Sequence, residues 1–317
     1  MNTVNGYTIK SELGAGAFGK VYLVKKDNRY YAMKMTQISR LNEREKEFAI
    51  KECKVLQSLN HNHITKLYDK FLYKGCLCMV MEYANKGDLG KHIINRGENL
   101  FSEEEILYIF VQIVLALKYI HDRNIIHRDI KPQNIFISSD NYVKIGDFNV
   151  CKQLQPHQAN TSTMTGTLNY LSPEILSGQG YNTQTDIFSL GCVLYELCSL
   201  RKAFVCISPE DYLKKIIGRN YRAIPDRYSN DMRYLINRML DPNPHTRITA
   251  NQILELNFIN CLLRPNPTNM PANANGTIDH NAQPPPPEYE GDIVTDVFAT
   301  IGVISTLVWL GKKIFGK

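Results

Sequence analysis

Several things are missing from these 317 residues, and each absence removes a class of function. The opening MNTVNGYTIK has no apolar core of the kind that directs secretion, so the first part of the chain is expected to work in a reducing, intracellular compartment. There is no long basic block. The formal net charge of +6 comes from scattered Lys and Arg, which argues against nucleic acid as a partner. No second Cys or His cluster at ligand spacing accompanies Cys76-Leu77-Cys78, so the cysteines, most of them inside apolar runs, are expected to be buried thiols rather than metal ligands. No internal repeat of solenoid period is present either. What remains is ordinary globular composition at a length that allows one large domain or two smaller ones, with a core that needs no disulfides or metal.

The periodicity changes along the chain. Short β-rich runs, Val21-Tyr22-Leu23-Val24 and Tyr30-Tyr31-Ala32-Met33, are separated by turn residues such as Asp27-Asn28, which predicts an antiparallel meander. From Asn42 to Leu59 the spacing is helical, with Phe48, Val55, Leu56 and Leu59 able to share one face. After Glu103 helical periodicity dominates, in ILYIFVQIVLALKYIH (106–121), DYLKKIIG (211–218) and DMRYLINRML (231–240). The expected class is α+β, a small antiparallel sheet lobe with one helix followed by a larger, mainly α lobe. From about residue 264 to 292 the composition shifts to Pro, Asn, Gln, Thr and Ala, with prolines at 284 to 287, and predicts a disordered linker. Residues 293–315 turn strongly apolar again.

Two groups of residues invite a chemical reading. Gly14-Ala15-Gly16-Ala17-Phe18-Gly19-Lys20-Val21 is a Gly-rich turn between β-rich runs, where backbone N–H groups could approach phosphate oxygens closely. Alone it fits a ligand-free hairpin equally well, and Val21 stands where a Walker A loop needs Ser or Thr. Lys34 follows, and Glu52 lies 18 residues further on, on the expected helix. A lysine that bridges phosphates is best fixed by a carboxylate. The second group is His127-Arg128-Asp129-Ile130-Lys131-Pro132-Gln133-Asn134, followed by Asp147-Phe148-Asn149.

With this run the chain resembles the eukaryotic protein kinase superfamily, over about Tyr7 to Phe258, and GTLNYLSPEIL, VMEYANKGDL and KECKVLQSLNHNHITKLYDKF resemble its NIMA-related (Nek) Ser/Thr branch. The resemblance implies the bilobal protein-kinase fold over residues 1–263, with ATP and Mg²⁺ as cofactors and protein substrates. It implies Asp129 as the catalytic base and Lys131 as the contact to the transferring phosphate, with Asn134 and Asp147 as Mg²⁺ ligands. Lys131 favours Ser or Thr acceptors over Tyr. Nucleotide binding would fall to Leu13, Gly14, Gly16, Gly19, Val21, Ala32, Lys34, Glu52, Phe136, the gatekeeper Met81 and the hinge residues Glu82 and Tyr83. Gly166 to Glu174 would dock the substrate, with Ser172 in place of the family's Ala. Glu174 and Arg247 would form a buried structural pair, and Asp186 would anchor the catalytic loop. Thr163 and Thr165 are candidate phosphorylation sites facing Arg128.

One departure bears on mechanism. Asn149 replaces the Gly of Asp-Phe-Gly, and Asn tolerates the left-handed backbone better than most residues, so activity is expected to be retained with altered loop switching. A membrane-tethered pseudokinase scaffold is the alternative.

The tail raises separate expectations. Val297 to Gly311 carries no charge and would span about 22 Å as a helix, while Ile293 to Phe315 would span about 34 Å and admits Asp296, Lys312 and Lys313 near its ends. A transmembrane tail anchor is expected, holding a cytosolic kinase domain against a lipid bilayer, that of the mitochondrial outer membrane or the endoplasmic reticulum. Pro286-Pro287-Glu288-Tyr289 matches the Pro-Pro-x-Tyr ligand of WW-domain proteins.

Overall fold

The computed structural model describes residues 3–16, 19–138, 142–148, 168–180 and 182–263. Asn149, Val150, Thr163, Thr165, the linker with Pro286, Pro287 and Tyr289, and the apolar tail lie outside the described residues. Described residues up to 254 form one compact unit, and 255–263 fall to a second.

The first unit begins with a sheet. Strands β1 (Thr3–Val4), β2 (Tyr7–Gly16), β3 (Gly19–Lys26), β4 (Arg29–Thr36), β5 (Leu67–Tyr73) and β6 (Cys76–Glu82) pair antiparallel in the order β1-β2-β3-β4-β6-β5. The turns Asn5-Gly6, Asp27-Asn28 and Lys74-Gly75 each hold both central residues at positive φ. Such turns match the right-handed twist of the flanking strands, and Asn, Asp and Gly bear the conformation at least cost. Side-chain alternation then sorts the sheet into two faces. Val24, Met33, Cys78 and Val80 pack with Val4 and Tyr7 on one face. Leu77 and Met79 point to the other, where they meet Cys53 of helix α1 (Glu43–Ser58).

Helix α1 has its cap where the sequence placed its start. The Asn42 side chain accepts from Glu45 N–H at 2.9 Å and the Glu45 carboxylate accepts from Asn42 N–H at 2.9 Å, a reciprocal capping box. The buried stripe differs from the expected one. Leu56 and Leu59 are buried, but Phe48 and Val55 are only half-buried, and Cys53 takes the centre. The inward positions are therefore 49, 52, 53 and 56, at helical spacing. Glu52 is the one carboxylate in that stripe and needs a partner there.

The helical lobe contains α2 (Leu89–Asn95), α3 (Glu103–His121), α4 (Pro173–Leu176), α5 (Thr183–Ser199), α6 (Pro209–Ile217), α7 (Asn230–Met239) and α8 (Ala250–Glu255). Helix α9 (Asn257–Leu263) belongs to the second unit. A Ser102–Glu105 capping box starts α3, acidic residues occupy its first turn and Lys118 and His121 its last, so its charges oppose the helix dipole. Helices α3 and α5 are apolar on nearly every side and form the buried centre of this lobe. A hairpin of β7 (Ile135–Ile137) and β8 (Val143–Ile145), absent from the sequence reading, separates Asp129 from Asp147. It is tied to the segment after α1 by Ile145 N–H to His63 O and Thr65 N–H to Ile145 O, each 2.9 Å. The expected sheet lobe with one helix and the mainly α lobe are both present. Among the described residues no helix is long and apolar enough to cross a membrane.

Candidate active site

Register decides which sheet residues can act together. Val21 pairs with Lys34, Lys34 with Met79, and Ala32 with Met81. Directly paired residues share a face, so Val21, Ala32, Lys34 and Met81 all lie on the face that carries α1. Lys34 therefore reaches Glu52, Nζ to Oε1 at 2.8 Å, and gives the carboxylate of the helix stripe a counter-charge. The same ammonium meets Asp147 Oδ1 at 2.6 Å. Burial pulls the Lys34 pKa down, but the two carboxylates more than offset this and hold it above its ordinary value. Burial pushes the Asp147 pKa up, yet the adjacent Lys34 ammonium prevails and keeps it below the usual carboxylate range. The Asp147 side chain is still 42 % exposed, so its carboxylate remains open to a further ligand.

In the Gly-rich run, Gly16 at the end of β2 pairs with Gly19 at the start of β3. Its glycines have different reasons to be there. A Cβ on Gly19 would collide with the backbone carbonyl of Met35, so the neighbouring strand demands that glycine. A Cβ on Gly14 would meet nothing within 4 Å among the described residues. Leu13 sits at an irregularity in the strand, 40 % exposed. Lys20 turns away to pair with Glu12 at 2.8 Å, leaving Lys34 as the lysine held at the cleft. The hinge is anchored at Glu82, whose carboxylate takes Lys144 Nζ at 3.1 Å while its N–H donates to Lys66 O at 2.9 Å. Tyr83 follows, half-buried, and Phe136 of β7 lies against Gly146, where a Cβ would stand 3.0 Å from its ring.

The run 127–134 folds back on itself. Pro132 starts a single 3₁₀ turn to Asn134, which returns the Asn134 side chain to Asp129. Asn134 Nδ2 donates to the Asp129 carbonyl at 2.8 Å and to Oδ2 at 3.0 Å, and Lys131 Nζ reaches the same Oδ2 at 2.8 Å. Because its nitrogen end is committed, the amide oxygen is the end that could face a cation. Arg128 has φ 70° and Asp147 φ 57°, both in the left-handed region that costs non-glycine residues energy. Asp186 of α5 holds the first of these in place. Its carboxylate accepts from His127 N–H at 2.8 Å and Arg128 N–H at 2.9 Å, and meets His121 Nε2 at 2.9 Å. Burial pushes the Asp186 pKa up, but these donors win and lower it. His127 links the loop to the other carboxylate, with Nε2 3.1 Å from Gly146 O and its ring 4.7 Å from that of the buried Phe148. Sequence reasoning missed His121 and Gly146. Neither partner lies near in sequence, so no local signal marked them.

Further away, Arg247 is fully buried and makes two bonds to Glu174, at 2.8 and 3.0 Å, with Phe188 beneath its guanidinium at 5.0 Å. That pair lies apart from the cleft and ties α4 to the segment before α8.

A strand lysine fixed by a helix carboxylate, meeting an Asp-Phe that hangs from a buried catalytic-type loop, defines the phosphoryl-transfer class built on a sheet lobe and a helical lobe. The chain belongs to the protein kinase domain family, which matches residues 7–259. It is 42 % identical over 255 residues to the serine/threonine-protein kinase Nek1 of Mus musculus, covering 80 % of this chain and 21 % of that protein. It is 42 % identical over 279 residues to the probable serine/threonine-protein kinase nek3 of Dictyostelium discoideum (84 % and 25 %) and 40 % over 260 residues to Nek5 of Homo sapiens (81 % and 37 %). The chain thus spans between about a fifth and two fifths of the length of these relatives.

Proposed function

We propose that the chain is an active serine/threonine protein kinase that transfers the γ-phosphate of ATP to protein hydroxyls. The observation that carries this is the Lys34 ammonium held between Glu52 and Asp147, because a scaffold needs no such lysine. The residues fit a nucleotide and a divalent cation: space is open above Gly14, and the Asp147 carboxylate is reachable although paired. Lys34 would turn to the nucleotide phosphates, with Glu52 limiting its freedom. Asn134 and Asp147 would supply hard oxygen ligands to Mg²⁺, whose charge when bound would offset that of the phosphates. Asp129 would orient the acceptor hydroxyl and take its proton, and Lys131, already on Asp129, would follow the charge of the phosphoryl group. Val21, Ala32, Met81 and Phe136 would enclose the base, and the backbone at Glu82 and Tyr83 would hydrogen-bond its edge.

The test is phosphate transfer from radiolabelled ATP with Mg²⁺ by the full chain, beside an Asp129→Ala control. Incorporation no higher than the control's refutes the catalytic reading.

Residues outside the described ones would add to this function. Residues 293–315 would anchor the kinase to an intracellular membrane, mitochondrial outer or endoplasmic reticulum, Thr163 and Thr165 would carry regulatory phosphate, and the PPEY segment would bind a WW-domain protein. Uncharged length and flanking lysines support the first, hydroxyl density and Arg128 the second, and the proline run the third. Carbonate extraction of the full chain tests the anchor, and release into the supernatant rejects it.

A further inference from the structure

Ser189 and Glu196 are seven residues apart on α5, so they lie on one face two turns from each other. Both hold Tyr170. The Ser189 hydroxyl donates to the Tyr170 carbonyl at 2.7 Å, and the Tyr170 hydroxyl donates to Glu196 Oε2 at 2.6 Å. One helix face therefore fixes a single residue of segment 168–172 at its backbone and at the far end of its ring.

Helix α5 stops at Leu200, which adopts φ 54° and reverses the chain. The reversal lays Lys202 back over the helix's last turn. Lys202 Nζ meets Glu196 Oε1 at 2.6 Å, hydrogen-bonds the Tyr170 hydroxyl, and stands 4.8 Å from the centroid of the Tyr170 ring. The two carboxylate oxygens are thus divided between a phenol and an ammonium. Tyr170 and Glu196 are buried, at 3 % and 6 % exposure, while a third of the Lys202 side chain reaches solvent. Burial first, then the Glu196 charge, pushes the Tyr170 pKa well above its ordinary value, so the phenol stays a donor. A carboxylate at this depth with a neutral donor alone would be costly, and the ammonium offsets that cost.

We propose that Lys202 is a positioning residue for the protein acceptor: by pairing with Glu196 and Tyr170 it fixes residues 168–172, and so sets affinity for the acceptor rather than the rate of transfer. The inference rests on the kinase reading above and on residues 166–174 as the docking segment. Among the described residues the hydrogen bonds of the Lys202 ammonium go to Glu196 and Tyr170 and none to Lys34, Asp129 or Asp147, so its effect should be separable from nucleotide binding.

The experiment is steady-state kinetics of the full chain with Mg²⁺-ATP and dephosphorylated casein as the acceptor probe. Lys202→Met, which keeps the stem and removes the charge, should raise KM for casein about threefold to tenfold, the effect of roughly one ordinary net hydrogen bond, with KM for ATP and kcat within about twofold. Lys202→Arg should restore the casein KM. Tyr170→Phe, which keeps the ring and should fold, ought to raise the same KM, and combining it with Lys202→Met should add little, because both remove one cluster. The proposal is overturned if Lys202→Met and Tyr170→Phe leave the casein KM unchanged, if both KM values rise together, or if Arg behaves as Met. A wild-type chain that transfers no more than Asp129→Ala overturns the kinase reading itself, which is a distinct result.

Discussion

Asp186→Asn isolates what the buried carboxylate does for the catalytic loop. Asp186 Oδ2 receives His127 N–H and His121, and Oδ1 receives Arg128 N–H. An amide of the same shape has one acceptor, and its NH₂ must face one of these sites. Placing the amide oxygen at Oδ2 keeps two bonds and turns the NH₂ toward Arg128 N–H, while the opposite placement loses two bonds to keep one. The first is cheaper, and it leaves one buried donor unsatisfied at a cost of about 2–3 kcal/mol. For a domain of this size that is roughly 4–12 °C in Tm. The residue released is Arg128, the one held at φ 70°. Left-handed backbone costs a non-glycine residue about 1 kcal/mol or more, so without its anchor the loop relaxes and moves Asp129. The expected result is a Tm lower by that amount and a kcat reduced at least about tenfold with KM for ATP little changed, because Lys34 and the glycine hairpin are untouched. Thermal melts and saturating-ATP kinetics on the full chain check it. An Asp186→Asn protein with wild-type Tm and kcat refutes the claim that this carboxylate holds the loop; one with lower Tm and unchanged kcat refutes the link to Arg128.

Lys34→Met should leave the domain folded, since the lysine is partly exposed, but should cut phosphate transfer by roughly a hundredfold or more. Incorporation at the wild-type level would contradict its placement in the site. Arg247→Met should cost about 3–5 kcal/mol by leaving the Glu174 carboxylate buried and unpaired, and adding Glu174→Leu should recover much of it, as read in urea denaturation; equal midpoints for the single and double variants would contradict this. Burial lowers the pKa of His61 to about 4 and of His63 to about 3. Their contribution is complete above the unfolded pKa of about 6.5 and falls as pH drops below it, approaching about 1.4 kcal/mol per pH unit for each histidine until the folded pKa is reached. His63→Asn, which retains a donor for Val143 O, should therefore show a shallower loss of urea midpoint between pH 7 and 5 than the wild type.

The order and kind of the main elements were legible in the sequence because they rest on local signals. Asp27-Asn28 marked a turn between strands, and the change to helical spacing at Asn42 marked the start of α1. Asp129, Lys131 and Asn134 were marked by the resemblance of their run to the kinase family rather than by spacing alone, and the 3₁₀ turn Pro132–Asn134 is what returns Asn134 to Asp129. What the sequence hid depends on contacts between distant segments. Cys53 rather than Phe48 meets Leu77 and Met79 of the sheet, and nothing within α1 specifies that. Gly19 looked like its neighbours in the loop, but only the path of β4 distinguishes a glycine demanded by packing from one that leaves room for a ligand. Lys202 lay outside every motif, since its partners are 6 and 32 residues away.

Under the proposed function, accessibility separates carboxylates that would hold the fold from those that would serve the reaction, although residue type does not. Glu174 and Asp186 have side chains at most 2 % exposed, and both are surrounded by donors from protein groups. Such groups contribute little net stability, because desolvation offsets the attraction, but removing a partner is costly. They therefore act as fixed geometry. Asp147 has a lysine partner and a depressed pKa like the others, yet remains 42 % exposed. Its charge is maintained without its oxygens being consumed. A metal-binding carboxylate must be ionised before the cation arrives, and must still have a free path for it. Lys34 meets the first requirement and the open side of Asp147 meets the second, so the ion pair that marks the site is a state of readiness that ligand binding should rearrange. Asp129 is different again: with 5 % of its side chain exposed, it is held by Asn134 and Lys131 through the same oxygen, which suits the proposed role of a base presented in one direction.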